Sequence, residues 1–191
     1  MNVLTIPTFS AAGVFHVVVE SPRAKLKYDA RWNAMTVSRP LTLGTTFPFD
    51  CGFIPSTTGP DDDPLDELVL WEVSSHPGVV LPCRAIGVMQ VEQNRTNNDP
   101  SMRIRNDRIL AVPEAARRER DFKGVDALPL RLREELEQFT LAATALEGKD
   151  VRVIGWGDEH VALTLIEELA SVRQYALFAR SRSQVDPRGI A

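Results

Sequence analysis

Short apolar segments separated by turn signals constrain the fold of this chain most strongly. Residues 14–20 are apolar and β-branched, and residues 102–105 alternate between apolar and basic side chains, as strands do. Turn formers such as Asn106-Asp107 separate such segments. The same criteria predict strands over residues 26–29, 35–38, 68–73, 79–93, 108–112 and 151–156. A series of short strands of this kind predicts a compact β barrel.

The C-terminal third of the sequence has helical rather than strand periodicity. Pro129 is favourable at the start of a helix, and apolar residues recur after it at helical spacing through Ala143. Asp158 is a good N-cap for a second helix through residue 172, and the pattern is compatible with a continuation to Phe178. We therefore predict two C-terminal helices.

Two polar segments are predicted to lie outside these elements. Residues 94–100 contain the breaker Asn97-Asn98-Asp99-Pro100, which predicts a hairpin or loop tip. Residues 181–191 are predicted to form a loose tail. Since the sequence shows no internal repeat and no low-complexity linker, we predict one domain over residues 1–191, with its core from about residue 14 to about residue 172.

The composition is that of an ordinary globular protein. The chain has 191 residues, 43% of them hydrophobic, and a formal net charge of −4. This charge argues against a broad nucleic-acid surface, and the apolar stretches are too short for a membrane span. Cys51 and Cys83 are too few for a disulfide framework, and the first residues lack a secretory signal pattern. The sequence predicts a cytoplasmic protein without nucleic-acid or membrane partners.

The run Asp61-Asp62-Asp63-Pro64-Leu65-Asp66 is the clearest chemical signal. Crowded carboxylates suit a hard divalent cation, and Mg²⁺ is commonly held by a few carboxylates plus phosphate oxygens of a substrate. The run alone also fits a solvated turn, and it contains the D-x-D pattern of sugar-nucleotide transferases. It fits an EF-hand loop poorly, because Asp66 falls where that loop needs glycine.

Further blocks, in a fixed chain order, surround the acidic run. They are Glu20, Lys27-Tyr28-Asp29, Arg39, residues 47–54, residues 83–88, residues 109–113, residues 125–129 and Gly155-Trp156. Together with the signature D-x-D-P-hydrophobic-D, this order resembles the soluble, Mg²⁺-dependent inorganic pyrophosphatases of the first family. The resemblance extends from about residue 14 to about residue 170.

This resemblance implies a fold and an activity. The fold is α+β and mainly β, a five-stranded, highly twisted barrel related to the OB fold, with two flanking C-terminal helices. The activity is hydrolysis of inorganic pyrophosphate, or of another small phosphoanhydride, with Mg²⁺ as cofactor and Mn²⁺ as a substitute. The resemblance also implies a homo-oligomer.

The resemblance implies a role for each residue of this chain that matches the family's motif. The resemblance implies that Asp61 and Asp66 are metal ligands, and that Asp63 is a metal ligand that also orients or deprotonates the attacking water. Lys27 and Arg39 match phosphate contacts with a role in catalysis, the arginine through its fork of donors and the lysine as a point charge.

Other positions in the expected site are supporting or altered. Glu20 and Asp29 match supporting acids, although Asp29 stands where glutamate is usual. Asn106 falls at a metal aspartate, and Arg108 falls at a lysine whose phosphate contact it could take over. Asp107, next to Asn106, is a candidate compensating acid.

Several expected residues are absent. Gln93 and Asn94 stand where acids are expected, Cys51 replaces a tyrosine, and a helical Tyr-Lys pair is missing at residues 142–144. These losses predict a weakened pyrophosphatase, because each removes a charge or a phosphate contact. The alternative is a non-catalytic binding or regulatory protein of the same fold. A metal-dependent nucleotidyl or glycosyl transferase is a third hypothesis, supported by the acidic run alone.

Overall fold

Five strands form a closed ring in the computed structural model, which describes residues 2–11, 13–21, 24–96 and 99–170. Around the ring the order is β2 (Val14–Ser21), β5 (Asp50–Phe53), β6 (Asp66–Val69), β9 (Arg108–Pro113) and β7 (Val80–Thr96), which pairs back onto β2. Neighbours are antiparallel except for β6 and β9, which are parallel. This ring confirms the predicted five-stranded barrel.

The other strands extend the ring or stand beside it. β1 (Phe9–Ala11) pairs with β2, while β8 (Asp99–Arg105) and β10 (Arg152–Gly157) pair with the far half of β7. β3 (Ala24–Asp29) and β4 (Ala34–Pro40) form a separate two-stranded hairpin. This hairpin carries two of the predicted phosphate contacts.

Both predicted helices begin where the sequence indicates. Helix α1 (Leu130–Thr144) follows Pro129, and helix α2 covers residues 159–170. The Val161 amide donates to Asp158 Oδ1 at 3.0 Å, which confirms the predicted N-cap. A continuation of α2 beyond residue 170 and the predicted tail at 181–191 lie outside the described residues. Within the described ranges, no helix is both long enough and apolar enough to cross a membrane.

One strand prediction needs correction, and one strand of the ring was not predicted. The strand predicted over residues 68–73 begins at Asp66 and ends at Val69. Further along, the Glu72 amide donates to Glu119 Oε1 at 2.8 Å, so this backbone group is satisfied by a side chain instead of by a neighbouring strand. Strand β5 was not predicted, because it has only four residues and is buried throughout, which removes the alternating pattern.

The predicted hairpin at residues 94–100 is confirmed by the pairing of β7 with β8, in which Thr96 stands opposite Asp99. The two residues between them, 97 and 98, are outside the described part of the chain.

Apolar side chains cover both faces of the ring. Val69 and Ile109 belong to one buried cluster, which includes Ile166 of α2. Their chain neighbours Leu68 and Leu110 belong to a second cluster. That second cluster contains Leu136 of α1. Because β9 is covered on both sides, its residues 109–112 form a continuous apolar sequence and not an alternating one.

Glu67 of β6 is an acid within this core. It is 0% exposed, and among the described residues neither carboxylate oxygen has a hydrogen-bond partner. Burial, with a smaller contribution from Asp50, raises the pKa of Glu67 well above its usual value. The native state therefore keeps a proton on Glu67 at a pH at which the unfolded chain releases it.

We expect Glu67→Leu to raise the free energy of unfolding by about 1–3 kcal/mol near pH 8, because the variant no longer buries an unpartnered polar group. The gain should shrink as the pH falls to 4.5, the ordinary pKa, and below, because Glu67 of the unfolded wild type then also takes up a proton. Urea unfolding at about pH 5 and about pH 8, with a chelator present, measures the gain.

Glu114→Gln is the control for this measurement, since Glu114 is an exposed acid. A gain of the same size at both pH values, or a loss of stability near pH 8, contradicts the assignment of a raised pKa to Glu67.

Candidate active site

A cavity of about 680 Å³ lies between the acidic loop and the β3–β4 hairpin. Four parts of the chain supply its charged walls. The first runs from the end of β2 into β3, and the second is β4. The third is the acidic loop with the start of β6, and the fourth is the segment after α1. Their charged side chains are Glu20, Lys25, Lys27, Arg39, Asp61, Asp62, Asp63, Asp66, Glu147 and Lys149.

Local hydrogen bonds shape the acidic loop. The Gly59 amide donates to the Asp63 carbonyl at 2.7 Å, and the Asp63 amide donates to Asp61 Oδ1 at 3.3 Å. Asp62 takes a left-handed conformation with φ of +67°, which aspartate tolerates better than most residues. Buried Thr57 accepts from the Leu65 amide at 3.0 Å and ties the loop to the barrel. The loop is therefore held at both ends.

Lys27 of the hairpin meets the loop at Asp63. Its Nζ lies 2.5 Å from Asp63 Oδ2, and the two side chains are 43% and 48% exposed. An ion pair this exposed adds little to stability, so both groups can exchange partners at low cost when a ligand enters.

Asp66 forms an ion pair with Arg108 that is more buried than the Lys27–Asp63 pair. Arg108 Nη1 lies 2.7 Å from Asp66 Oδ2, and these side chains are only 12% and 18% exposed. The two residues stand side by side in the parallel register of β6 and β9. Burial opposes ionisation of Asp66, but Arg108 and then Lys25 outweigh it and hold the pKa of Asp66 below its usual value.

Two other acids form no ion pair within the described part of the chain. Burial, together with Asp66, raises the pKa of Glu20 to about 7. Burial, followed by Asp66 and Asp63, raises the pKa of Asp61. A cation bound here would relieve the repulsion that adds to the effect of burial on both pKa values.

Arg39 joins the cavity to the end of α1. Its Nη1 donates to the Ala143 carbonyl at 3.1 Å, and its Nη2 pairs with Glu147. Lys149 Nζ lies 3.7 Å from the other oxygen of Glu147. The segment after α1 therefore brings one further acid and one further cation into the site.

Sequence reasoning missed Lys25, Glu147 and Lys149. Lys25 had a usable signal, because it stands two residues before Lys27 on β3 and strand side chains repeat with a period of two. Glu147 and Lys149 follow α1, more than a hundred residues along the chain from the hairpin, and their local pattern does not point to a site.

Two predicted acids do not line the cavity. Asp29 is bound to Arg31 at 2.6 Å in the turn of the β3–β4 hairpin. Asp107, the candidate compensating acid, is buried and accepts from the Val91 amide at 2.8 Å and from Arg105 at 2.9 Å. These donors occupy its carboxylate, so in this conformation Asp107 cannot replace the acid missing at Asn106.

Of the positions where an expected acid or tyrosine is replaced, some line the cavity and others do not. Asn106 lines the cavity, whereas Gln93 and Asn94 are buried on β7 and are not part of its walls. Cys51 is 8% exposed, and burial raises the pKa of its thiol above the usual range, which leaves it protonated.

The donor set fits a hard divalent cation in part. Asp61 and Asp63 present carboxylate oxygens from one loop, and Asp61 lacks a neutralising partner among the described residues. Yet the described side chains do not bring three or more His, Cys, Asp or Glu residues close enough to hold one ion. The reason is visible in the ion pairs, since Lys27 and Arg108 each hold one aspartate of the run.

Comparisons with known proteins agree on one family. The family model described as inorganic pyrophosphatase matches residues 17–174. The inorganic pyrophosphatase of Synechocystis sp. is 30% identical over 171 residues, covering 88% of this chain and 96% of that protein. The corresponding Thermus thermophilus protein is 32% identical over 169 residues, covering 85% and 92%.

Solved structures show the same likeness in three dimensions. The crystal structure of inorganic pyrophosphatase from Thermus thermophilus superposes with a TM-score of 0.82 at 30% identity, covering 91% of this chain and 99% of that one. The Coxiella burnetii structure gives a TM-score of 0.78 at 29% identity, covering 87% and 98%. With ring, acidic loop and sequence match in agreement, the chain belongs to the inorganic pyrophosphatase family.

Proposed function

We propose that this protein hydrolyses inorganic pyrophosphate to two phosphates. The observation that carries the proposal is the convergence of Asp61, Asp63, Lys27 and Arg39 on one cavity. Phosphoryl transfer of this kind needs positioning and charge neutralisation more than covalent chemistry, and the cavity supplies oxygen ligands and cations together. Relatives from Synechocystis sp. and Thermus thermophilus have the name inorganic pyrophosphatase.

Mg²⁺ is the proposed cofactor, with Mn²⁺ as a substitute, because this family is generally metal-dependent and the available ligands are carboxylate oxygens. Asp61 and Asp63 would hold the ion, whose charge lowers the pKa of a bound water and neutralises phosphate oxygens. Asp66, the third predicted ligand, lies on the same cavity but is paired with Arg108.

The chain's own residues have separable roles in this proposal. Asp63 orients the attacking water and accepts its proton, and Lys27, 2.5 Å from Asp63, exchanges that carboxylate for a phosphate oxygen when pyrophosphate binds. Arg39 grips a phosphate through donors that remain after its bonds to Ala143 and Glu147. Glu20 supports the site as a nearby acid, and Lys25 and Lys149 add positive charge to its walls.

Weakened catalysis is part of the proposal. Cys51 has no hydroxyl to offer phosphate, and residues 142–144 of α1 contain neither member of the Tyr-Lys pair that the resemblance implies there. If each missing contact is a charge-assisted hydrogen bond of about 1.5–3 kcal/mol, two of them reduce transition-state binding by several powers of ten, allowing for non-additivity. A cytoplasmic location and a homo-oligomeric state are further parts of the proposal.

The second candidate function is a non-catalytic protein that binds pyrophosphate or another small phosphoanhydride. It is favoured by the pairing of Asp66 with Arg108 and by the amide at Asn106, which together leave fewer acids for metal. Retention of Asp63 on the cavity favours hydrolysis over this alternative.

We expect Asp63→Asn to reduce Mg²⁺-dependent phosphate release from pyrophosphate by roughly a hundredfold or more, because an amide cannot accept the proton of the attacking water. A colorimetric phosphate assay across Mg²⁺ and Mn²⁺ titrations measures the effect. Asp126→Asn is the matched control, since the Asp126 side chain is 96% exposed and lies away from the cavity. Equal turnover by Asp63→Asn and wild type contradicts the role of Asp63, and no turnover by a folded wild type favours the binding protein.

We expect Arg39→Lys to lower kcat/KM for pyrophosphate by roughly 10- to 100-fold, because lysine cannot reproduce the guanidinium fork. Arg31→Lys is the control, as Arg31 lies in the same hairpin with 82% of its side chain exposed. Steady-state kinetics that show the same small change in both variants would remove Arg39 from the phosphate site.

A further inference from the structure

The environment of Arg108 resembles that of a bound cation. Its Nη1 atom lies 2.7 Å from Asp66 Oδ2, 2.6 Å from Asn106 Oδ1 and 2.8 Å from the Asn106 carbonyl oxygen. The Asp107 carbonyl oxygen is a fourth neighbour at 3.3 Å. A nitrogen with two hydrogens cannot make four linear bonds, so these oxygens share the positive charge of the guanidinium, as oxygens do around a hard metal ion.

The barrel itself places this cation. Asp66 and Arg108 are partners in the parallel register of β6 and β9, so their Cα atoms are held side by side by the sheet. Both side chains are more than four-fifths buried, which strengthens their attraction and limits exchange with solvent ions. A metal ion at Asp66 Oδ2 would have to displace Arg108 and leave that buried charge without its carboxylate partner, and this is unfavourable.

A second cation faces the same carboxylate. Lys25 lines the cavity, and among the described residues it forms no ion pair within 4.0 Å, while Asp66 is its principal electrostatic neighbour. Asp66 thus has two positive neighbours, whereas Asp61 has no cation paired with it within the described ranges. Divalent cations are therefore expected near Asp61 and not at Asp66.

We propose that the Arg108 guanidinium permanently takes the place of a divalent cation between Asp66 and Asn106, so that Asp66 is not a metal ligand in this chain. Metal binding is confined to the part of the cavity around Asp61 and Asp63. The inference rests on the proposed metal-dependent function, which it refines: one positive charge at this position is part of the polypeptide and does not respond to the Mg²⁺ concentration.

The decisive experiment counts bound Mn²⁺ by electron paramagnetic resonance in metal-stripped protein. Asn106→Asp combined with Arg108→Gln should bind one more ion than the wild type, since the positive charge at position 108 is gone and a second acid faces Asp66. Adding Asp66→Asn to that double variant should remove the extra ion. Arg105→Gln is the matched control, because it removes the positive charge of the neighbouring Arg105–Asp107 pair and should leave the count unchanged.

A parallel titration compares single variants. We expect Asp61→Asn to weaken Mn²⁺ binding by roughly tenfold or more, and Asp66→Asn to change it by less than about twofold. Circular dichroism of the stripped proteins verifies folding, and Asp66→Ser replaces Asp66→Asn if the latter does not fold. An unchanged ion count in the double variant, or equal losses from Asp61→Asn and Asp66→Asn, overturns the inference.

The proposed hydrolysis is tested separately on the same samples. Mn²⁺ binding in the expected pattern without phosphate release contradicts hydrolysis and still supports the assignment of Arg108. Phosphate release together with equal losses of Mn²⁺ affinity supports hydrolysis and contradicts that assignment.

Discussion

The 17-residue strand β7 is the element on which the rest of the structure depends. One half pairs with β2 and β9 and closes the ring, and the other half pairs with β8 and β10. A bulge occurs at Gly87, where a Cβ atom would lie only 2.7 Å from the Gly157 carbonyl oxygen, so the close approach of β10 requires glycine. Closure leaves β6 no free edge and sets it parallel to β9.

That register determines the electrostatics of the cavity. It places Arg108 beside Asp66, while the hairpin outside the ring brings Lys27 to Asp63 and Arg39 to Glu147. Three acids are thereby neutralised within the chain, and Glu20 and Asp61 retain raised pKa values because burial and their neighbours disfavour charge on them. The cavity therefore offers a metal ion fewer free carboxylates than its number of acids suggests, and we expect weaker metal binding for this reason.

Much of the fold follows from local pattern. Alternating and β-branched segments indicated the barrel strands, and Pro129 and Asp158 marked the beginnings of both helices, because these signals act over a few residues. Strand β5 was missed since a short strand buried on both faces has no periodicity. The acidic loop was recognisable because six adjacent residues contain most of its chemistry, whereas Asp29 and Asp107 have suitable side chains that are bound elsewhere.

By itself, the sequence determined the family, the barrel with two helices, and the acids and cations available for phosphate chemistry. Only the tertiary structure decided which charges meet. It brought Glu147 and Lys149 into the cavity from a distant segment, turned Asp107 toward Arg105, and held Asp66 against Arg108. The physical reason is that strand register and ring closure set distances between residues far apart in the chain, and Coulomb interactions depend on those distances and on burial, neither of which a local pattern contains.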